Sequence, residues 1–445
     1  MLLQGTMRVN DAGHLVIGDC DTVELAREFG TPLYVLDEQT FRAKCRAYYQ
    51  AFTAKTNADV IYAGKSLLTL AICRLVEEEG LCLDVVSGGE LFTAIKAGFP
   101  MSRIYFHGNN KSVEELLMGI EAGIHRFIVD NIRELYLLQN LASQKGRQVD
   151  ILLRLTPGIE AHTHDYIKTG QIDSKFGLAI ATGQAMEGVR EALRLTNIRL
   201  RGLHCHIGSQ IFELEPYADA ARILLQFARE AKDATGWEIE ELNLGGGLGI
   251  YYAEGDRPPE IADLAETIIP AVHKYAREFS LPVPKILVEP GRSIAGPSGI
   301  TLYTVGTIKT IPGIRTYVSV DGGMTDNLRP ALYGARYEAC VANKMHMPSS
   351  HTVSLAGKCC ESGDMLIWDI IMPPLEPDDI IAVPSTGAYT YTMASNYNRI
   401  PRPAMITVLN GQAELILKRE SYDDLIRNDI IPERLMRKVT TEASK

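Results

Sequence analysis

The stretch ELNLGGGLGI (residues 241–250) joins a short apolar segment to a run of glycines. The segment has the length and composition of a buried β-strand. Glycines directly after a strand let backbone N–H groups come close to an anion, and loops at this point of a barrel often hold phosphate. A tight turn without a ligand is the alternative explanation. The stretch therefore predicts a strand that ends at a candidate anion site.

Seven other segments of the same kind lie around this one. They are VIYA (60–63), LDVV (83–86), IYFH (104–107), FIV (127–129), ILLRL (151–155), GLHCH (202–206) and ILVE (286–289). Helical patterns such as SVEELLMGIEAG (112–123) separate most of them, and several end in glycine. The alternation predicts a (β/α)8 TIM-type barrel, with an open doubly wound sheet as the alternative. Polar residues that follow several different strands favour the barrel.

The pattern changes near residue 300, where helical periodicity fades. Segments such as TLYTVGTIKT (301–310) and IIAVPSTGAYT (380–390) are typical of β-strands and turns. We expect a C-terminal antiparallel β-domain, which HLVIGD (14–19) could join as a further strand. The expected division is a barrel over 30–295 and a β-domain made of 1–29 and 296–445, which contributes to the active site.

Length and composition limit the class of protein. The chain has 445 residues, 46% of them hydrophobic and 22% charged, which is typical of a soluble globular protein with two domains. Its net charge of −10 and its lack of a basic block argue against nucleic-acid binding. No signal peptide or membrane-spanning segment is evident, and the eight cysteines form no CxxC pair. We expect a cytoplasmic enzyme with reduced thiols and a small-molecule substrate.

Three strand ends carry residues suited to catalysis. Lys65 follows the first barrel strand in YAGKS, where burial would lower its pKa and favour a Schiff base; a surface lysine is the alternative. Ser209, after the GLHCH strand, could add a hydroxyl to the anion site. In EPGR (289–292) the turn leaves Glu289 facing inward and Arg292 at the rim. A carboxylate such as Glu289 could keep a pyridine nitrogen protonated, whereas a structural Glu–Arg pair is the simpler alternative.

Two histidine pairs raise the question of a metal site. His204 and His206 share one face of a strand, and HTH (162–164) offers a second pair. No carboxylate-rich partner is evident at matching strand ends, so we expect no metal. A ring that stacks on a flat cofactor, or a core histidine, explains the pair better.

The β-domain contributes a dense polar loop, CCESGD (359–364), which includes Cys360 and Glu361. RPALY (329–333) and TGAY (386–389) add polar and aromatic side chains. Together with the barrel residues they provide an amine, a phosphate cradle, a flat-ring partner and a buried acid. Those are the requirements of pyridoxal 5′-phosphate.

YAGKS, DVVSGGEL, HIGSQ, NLGGGLGI, EPGRS and CESGD, in this order, resemble the motifs of the fold-type III pyridoxal phosphate-dependent decarboxylases, which have an alanine racemase-like barrel. TGQIDSKFG (169–177), RPALY and CESGD resemble the diaminopimelate decarboxylases among them. The resemblance implies catalytic roles for Lys65 and Cys360. It implies cofactor contacts for Lys65, Asp84, Arg154, His206, Ser209, Gly245, Gly246, Gly247, Glu289 and Tyr389. It implies substrate contacts for Arg292, Arg329, Tyr333, Glu361 and Tyr389.

The resemblance also implies an activity and an assembly. The expected reaction is the decarboxylation of meso-2,6-diaminopimelate to L-lysine and CO2, the last step of lysine biosynthesis, in a homodimer with shared active sites. A decarboxylase of ornithine, lysine or arginine with the same fold is the alternative. A racemase is less consistent, because its relatives place an arginine where Glu289 stands. A non-catalytic binding protein and a zinc hydrolase are the remaining alternatives.

Overall fold

The structure is a computed structural model that describes residues 2–158 and 174–436. The elements of its amino-terminal part are β1 (Arg8–Val9), β2 (Leu15–Ile17), β3 (Cys20–Asp21), α1 (Thr22–Phe29), β4 (Leu33–Asp37) and α2 (Glu38–Ala51). This part forms a small antiparallel sheet of β1, β2 and β3, and the next strand, β4, belongs to a larger sheet.

A closed barrel of eight parallel strands follows in the described chain, which confirms the predicted fold class. Its strands are β5 (Ala58–Ala63), β6 (Cys82–Val85), β7 (Ile104–Phe106), β8 (Arg126–Val129), β9 (Val149–Thr156), β11 (Ile198–His204), β12 (Glu241–Asn243) and β13 (Lys285–Val288); the short β10 (Leu178–Ala179) pairs beside β9. The barrel closes because β13 pairs with β5 and β8 pairs with β9. Its helices are α3 (Leu70–Glu78), α4 (Gly88–Ala97), α5 (Val113–Ala122), α6 (Ile132–Gln144), α7 (Gln184–Arg194), α8 (Glu215–Thr235) and α9 (Ile261–Glu278).

Local sequence explains where these helices begin and end. In α5, Ser112 and Glu115 form a capping box at the start, and Gly123 takes the left-handed conformation at the end. The barrel interior holds a cluster of buried side chains, namely Ile61, Cys82, Tyr105, Ile128, Leu152 and Leu287. Because this cluster fills the interior, ligands can enter only at the strand ends.

The second domain is a large sheet built mostly of antiparallel pairs. Its elements are α10 (Arg292–Ala295), β14 (Gly299–Ile311), β15 (Arg315–Val320), α11 (Arg329–Tyr333), β16 (Cys340–Val341), β17 (His351–Ala356), β18 (Met365–Met372), β19 (Ile380–Val383), β20 (Ala404–Leu409), β21 (Gln412–Leu417) and α12 (Tyr422–Ile426). The strand order is β18-β17-β15-β14-β4-β20-β21, and β19 joins β14 to β16. Two pairs, β15–β17 and β4–β20, are parallel, so the sheet is mixed rather than purely antiparallel.

Strand β4 lies in this second sheet, between β14 and β20. The expected barrel range of 30–295 includes that strand, but its hydrogen bonds assign it to the β-domain. Leu15 and Ile17 of the small amino-terminal sheet pack in the same apolar cluster as Leu33 and Val35 of β4. Within the described ranges, no helix is both long and apolar enough to cross a membrane.

Candidate active site

A cavity of about 760 Å³ opens at the carboxyl ends of the barrel strands. This volume is within the usual range for small-molecule sites. Twelve of the predicted site residues line it, namely Lys65, Asp84, Arg154, His206, Ser209, Gly246, Gly247, Glu289, Arg292, Arg329, Tyr333 and Tyr389. The structure therefore brings together residues from most barrel strands and from the β-domain.

Lys65 lies in a short 3-10 turn, Gly64–Ser66, directly after β5. A β-carbon at Gly64 would lie 2.6 Å from the carbonyl oxygen of Asp84, so the turn fits only with glycine there. The Tyr389 N–H donates to the Ser66 carbonyl at 2.9 Å and joins the turn to the β-domain. Lys65 is exposed rather than buried in this chain, in contrast to the burial expected from sequence. Its side chain is therefore accessible from the cavity.

The glycine run after β12 is packed against neighbouring strand ends. A β-carbon at Gly246 would lie 1.9 Å from the Glu289 carbonyl oxygen, and one at Gly247 would lie 2.2 Å from the Gly208 carbonyl oxygen. Ser209 faces the same region, where its hydroxyl accepts a hydrogen bond from Arg292 Nη2 at 2.8 Å. Backbone and hydroxyl groups thus border one end of the cavity, which suits a phosphate.

Glu289 is buried among polar groups from other strand ends. Asn243 Nδ2 donates to its Oε1 at 2.7 Å, and His204 Nε2 lies 3.1 Å from its Oε2. His107 Nε2 lies 2.8 Å from Oε1, although without hydrogen-bond alignment. Burial alone would raise the pKa of Glu289, but His107 and His204 hold it well below the usual range. Beside them, burial raises the pKa of Asp84, whose Oδ1 has no partner among the described residues.

The sequence interpretation missed His107 and Asn243. Each is a polar residue at the end of an otherwise apolar segment, IYFH or ELNL, and that position was the available signal. His107, His204 and Glu289 each place a ligand atom within 4.8 Å of the others, which is the one grouping of possible metal ligands in the described chain. The same three residues can instead be interpreted as polar groups that stabilise one carboxylate, Glu289. This interpretation also explains why the Asn243 amide contacts Glu289, which a metal site would not.

His206 lines the cavity beside this network. Its Nδ1 accepts a hydrogen bond from the Gly246 N–H at 3.3 Å. Burial, together with the charges of Lys65 and Arg154, lowers its pKa well below the usual value. A neutral imidazole at this position suits stacking on a flat ring. The Arg154 guanidinium lies 4.3 Å from the ring centre of Phe176 and 3.9 Å from Asp130.

Two buried arginines form a second polar group, with tyrosines around them. Arg292 Nη1 donates to the Tyr252 hydroxyl at 2.6 Å, and Arg329 Nη1 donates to the Tyr337 hydroxyl at 2.6 Å. The guanidinium of Arg329 also lies 4.6 Å from the Tyr252 ring centre. Neither arginine makes a salt bridge to a carboxylate within the described residues. Two such cations at one cavity suit an anionic ligand.

The loop that carries Cys360 and Glu361 does not reach this cavity. Both residues are exposed, and the Cys360 N–H donates to Asn398 Oδ1 at 2.8 Å on the outer side of the β-domain. Gly245 lies just below the cavity, where its N–H donates to Asn243 Oδ1 at 2.9 Å. The predicted pair in HTH (162–164) and the start of TGQIDSKFG, residues 169–173, lie outside the described residues.

These side chains fit pyridoxal 5′-phosphate. Gly246, Gly247, Ser209 and Tyr389 would hold its phosphate, His206 would pack on its ring, and Lys65 would bind its aldehyde carbon. Glu289 supplies the buried anion that a protonated ring nitrogen needs.

Comparison with known proteins identifies the family that this chain resembles. A family model described as the pyridoxal binding domain of pyridoxal-dependent decarboxylases matches residues 38–296. The chain is 52% identical to a diaminopimelate decarboxylase of Bacillus subtilis, over 97% of this chain and 98% of that protein. It is 47% identical to a diaminopimelate decarboxylase of Synechocystis, over 98% and 94%. The crystal structure of diaminopimelate decarboxylase from M. jannaschii in complex with L-lysine superimposes with a TM-score of 0.92, at 39% identity over 98% of this chain and 100% of that chain.

Proposed function

This chain belongs to the diaminopimelate decarboxylases, a family of pyridoxal-dependent decarboxylases, and on that premise we propose which of its residues carry out the reaction. The reaction is the decarboxylation of meso-2,6-diaminopimelate to L-lysine and CO2, in lysine biosynthesis. The observation that carries the assignment of residues is the single cavity that contains Lys65, His206 and Glu289 together.

Pyridoxal phosphate supplies an electron sink for the pair of electrons that CO2 leaves behind. Glu289 stays anionic between His107, His204 and Asn243, and it stabilises a proton on the ring nitrogen. His206 packs on the ring and limits its movement. Lys65 would hold the aldehyde carbon of the cofactor through its side-chain amine.

The phosphate end is bound by the loops after β11 and β12. Ser209, the backbone of Gly246 and Gly247, and Tyr389 would bind this group. Asp84 and Arg154 complete the cofactor site from β6 and β9.

Arg292, Arg329 and Tyr333 bind the far end of the substrate. That end carries an ammonium and a carboxylate, and it is unchanged in the product, because L-lysine retains it. A planar guanidinium matches a carboxylate. A simple basic amino acid would leave these arginines without an anion, which is costly in a buried site. This argument favours diaminopimelate over ornithine, arginine or lysine.

Glu361 would bind the distal ammonium, and Cys360 or Lys65 would deliver the proton that replaces the lost carboxylate. Because Cys360 and Glu361 are exposed outside their own cavity, we assign them to the cavity of a second copy of the chain. Support comes from the C-terminal segment near this loop, where Tyr397 bonds to the Cys360 carbonyl at 3.4 Å. In that segment Tyr422 and Ile430 expose 80% and 87% of their surface. Large apolar side chains exposed to this extent are typical of a protein–protein contact surface. The proposed assembly is a cytoplasmic homodimer with shared active sites.

Release of CO2 from the protein loaded with pyridoxal phosphate tests the substrate assignment. We expect release from meso-diaminopimelate, with L-lysine formed, and none from ornithine, lysine or arginine. Release from one of these basic amino acids instead would overturn the roles given to Arg292, Arg329 and Glu361.

If Lys65→Ala and Cys360→Ala each abolish turnover alone, mixing the two variants tests the shared site. Lys65→Ala and Cys360→Ala would complement each other in a mixed dimer, because one of its two cavities would then contain both native residues. Random exchange should restore about a quarter of the wild-type sites. Lys65→Ala with Glu289→Gln is the matched control, since these two residues share one chain's cavity and no native site can form. Equal recovery in both mixtures, or in neither, would contradict the assignment.

A further inference from the structure

The Glu289 carboxylate lies among polar side chains from the ends of three other barrel strands and accepts hydrogen bonds from two of them, Asn243 and His204. Asn243 ends β12, His204 ends β11 and His107 directly follows β7. A carboxylate offers about four acceptor positions on its two oxygens. Asn243 and His107 approach Oε1, and His204 approaches Oε2. Among the described residues, only Asn243 and His204 make hydrogen bonds to the carboxylate, so each of its oxygens keeps one acceptor position; His107 Nε2 lies 2.8 Å from Oε1 but is not aligned for a bond.

The orientation of the Asn243 amide is fixed by a second hydrogen bond. Its Oδ1 accepts from the Gly245 N–H at 2.9 Å, so its Nδ2 must face Glu289, where it lies 2.7 Å from Oε1. The same amide therefore links the buried carboxylate to the first glycine of the loop at the phosphate end. Both contacts require an amide, because an aspartate would lose the donor and a leucine would lose both groups.

His204 is a neutral donor at this position. Burial lowers its pKa to about 4, and Glu289 only partly offsets that effect. Its Nε2 must carry the proton, since the anion that it meets can only accept. The charged and titratable groups around the carboxylate include His107, His204, His206, Cys205, Asp84 and Arg154.

We propose that Asn243 and His204 are positioning residues that keep Glu289 anionic, in one orientation, with one hydrogen bond to each oxygen and acceptor capacity left for the protonated ring nitrogen of the cofactor. Neither residue touches the reacting atoms. They act through Glu289, so the inference rests on the ring-nitrogen role proposed above for that carboxylate.

The test uses protein loaded with pyridoxal phosphate that carries 15N in the ring, because the 15N chemical shift reports whether that nitrogen is protonated. Asn243→Leu and His204→Leu each remove one donor. His204→Gln retains a donor of similar reach without an imidazole. His125→Gln is the matched control, since His125 precedes β8 at the opposite end of the barrel.

We expect a protonated nitrogen in the wild type, in His204→Gln and in His125→Gln. The two leucine variants should lose much of that proton, and their kcat should fall about tenfold or more, as for one lost hydrogen bond to a charged group. The KM for diaminopimelate should change far less than kcat. Asn243→Leu also removes the hydrogen bond to the Gly245 N–H in the glycine loop, whereas His204→Leu does not. An effect that both variants share therefore arises from the Glu289 carboxylate.

Three results separate the possible failures. A nitrogen that stays protonated in both folded leucine variants, with unchanged kcat, would overturn the proposal. A nitrogen that stays protonated in Glu289→Gln would instead remove the premise about Glu289. Stoichiometric zinc in the purified protein that is lost in His204→Leu would show that His107, His204 and Glu289 bind a metal, and would overturn the proposed hydrogen-bond network.

Discussion

The α-carbon of Gly246 faces the backbone carbonyl of Glu289 so closely that a β-carbon there would lie 1.9 Å from the oxygen. This contact joins the loop at the phosphate end to the strand that presents the buried carboxylate. Two functions of the cavity therefore depend on the same backbone packing. One is binding of the cofactor phosphate, and the other is the positioning of the Glu289 carboxylate.

Gly246→Ala should separate these two strand ends. We expect a loss of about 1–3 kcal/mol in the free energy of unfolding, as for other overpacked sites, and weaker binding of pyridoxal phosphate. Urea unfolding and cofactor titration measure the two effects. Gly89→Ala is the control, because its added β-carbon would lie 3.7 Å from its nearest neighbour, Ser87 Oγ. Equal effects of the two substitutions would contradict the importance of the Gly246 contact.

Lys65→Ala should abolish turnover and covalent retention of the cofactor. Borohydride reduction followed by mass spectrometry detects the attachment, which we expect at residue 65 in every protein that keeps Lys65. Lys96→Ala, on the outside of α4, serves as the control. A variant at residue 65 that still turns over at the wild-type rate would refute the assignment.

Arg329→Ala should weaken every ligand that carries the distal carboxylate. We expect kcat/KM for meso-diaminopimelate to fall roughly a hundredfold, and inhibition by L-lysine to weaken similarly, because a buried charge pair is lost. Inhibition by pentane-1,5-diamine, which has no carboxylate, should change little. Tyr337→Phe keeps the ring but removes the hydroxyl that receives Arg329 Nη1, and it should show a smaller loss with the same selectivity. Parallel losses for all three ligands would argue against a carboxylate site.

Asp326 should make stability depend on pH. Burial raises the pKa of its carboxyl from the usual value near 4 to about 7. The folded state then binds a proton that the unfolded state has released, so stability is lost as the pH rises from about 4 to about 7, by at most about 4 kcal/mol. Asp326→Asn should gain stability relative to the wild type over that interval, as measured by urea unfolding. A difference that does not vary with pH would show that Asp326 is already ionised when folded.

The Lys111–Glu134 pair should contribute strongly to stability. Lys111 Nζ is buried and lies 2.6 Å from Glu134, and it also donates to the Gly108 carbonyl beside His107. Lys111→Met removes the cation beside the buried Glu134 carboxylate, which keeps only the Asp130 N–H as a donor within the described chain, and should cost about 3–5 kcal/mol. Lys145→Met, which removes the exposed pair with Glu121, should cost at most about 1 kcal/mol. Comparable losses in thermal unfolding would refute this distinction.

The sequence predicts the barrel well, because each of its strands is a short apolar segment followed by a helix and a turn. Lys65, Glu289 and the glycine run can be found because strand ends are where barrel enzymes hold their ligands. His107 and Asn243 are harder to find, since their partner Glu289 is far away in the chain and no spacing rule connects them. Strand β4 has no local feature that distinguishes it from a barrel strand. The structure of a single chain does not show which cavity Cys360 completes, because the proposed cavity belongs to a second copy of the chain.

The place of β4 between β14 and β20 also affects how the protein is made. Leu33–Asp37 leaves the ribosome early, whereas its neighbours in the sheet are synthesised only after the whole barrel. A fragment that starts at residue 296 would lack this strand and would expose the edges of β14 and β20, which invites aggregation. The C-terminal sheet is therefore not a separable module, and its folding must wait until both ends of the chain are available.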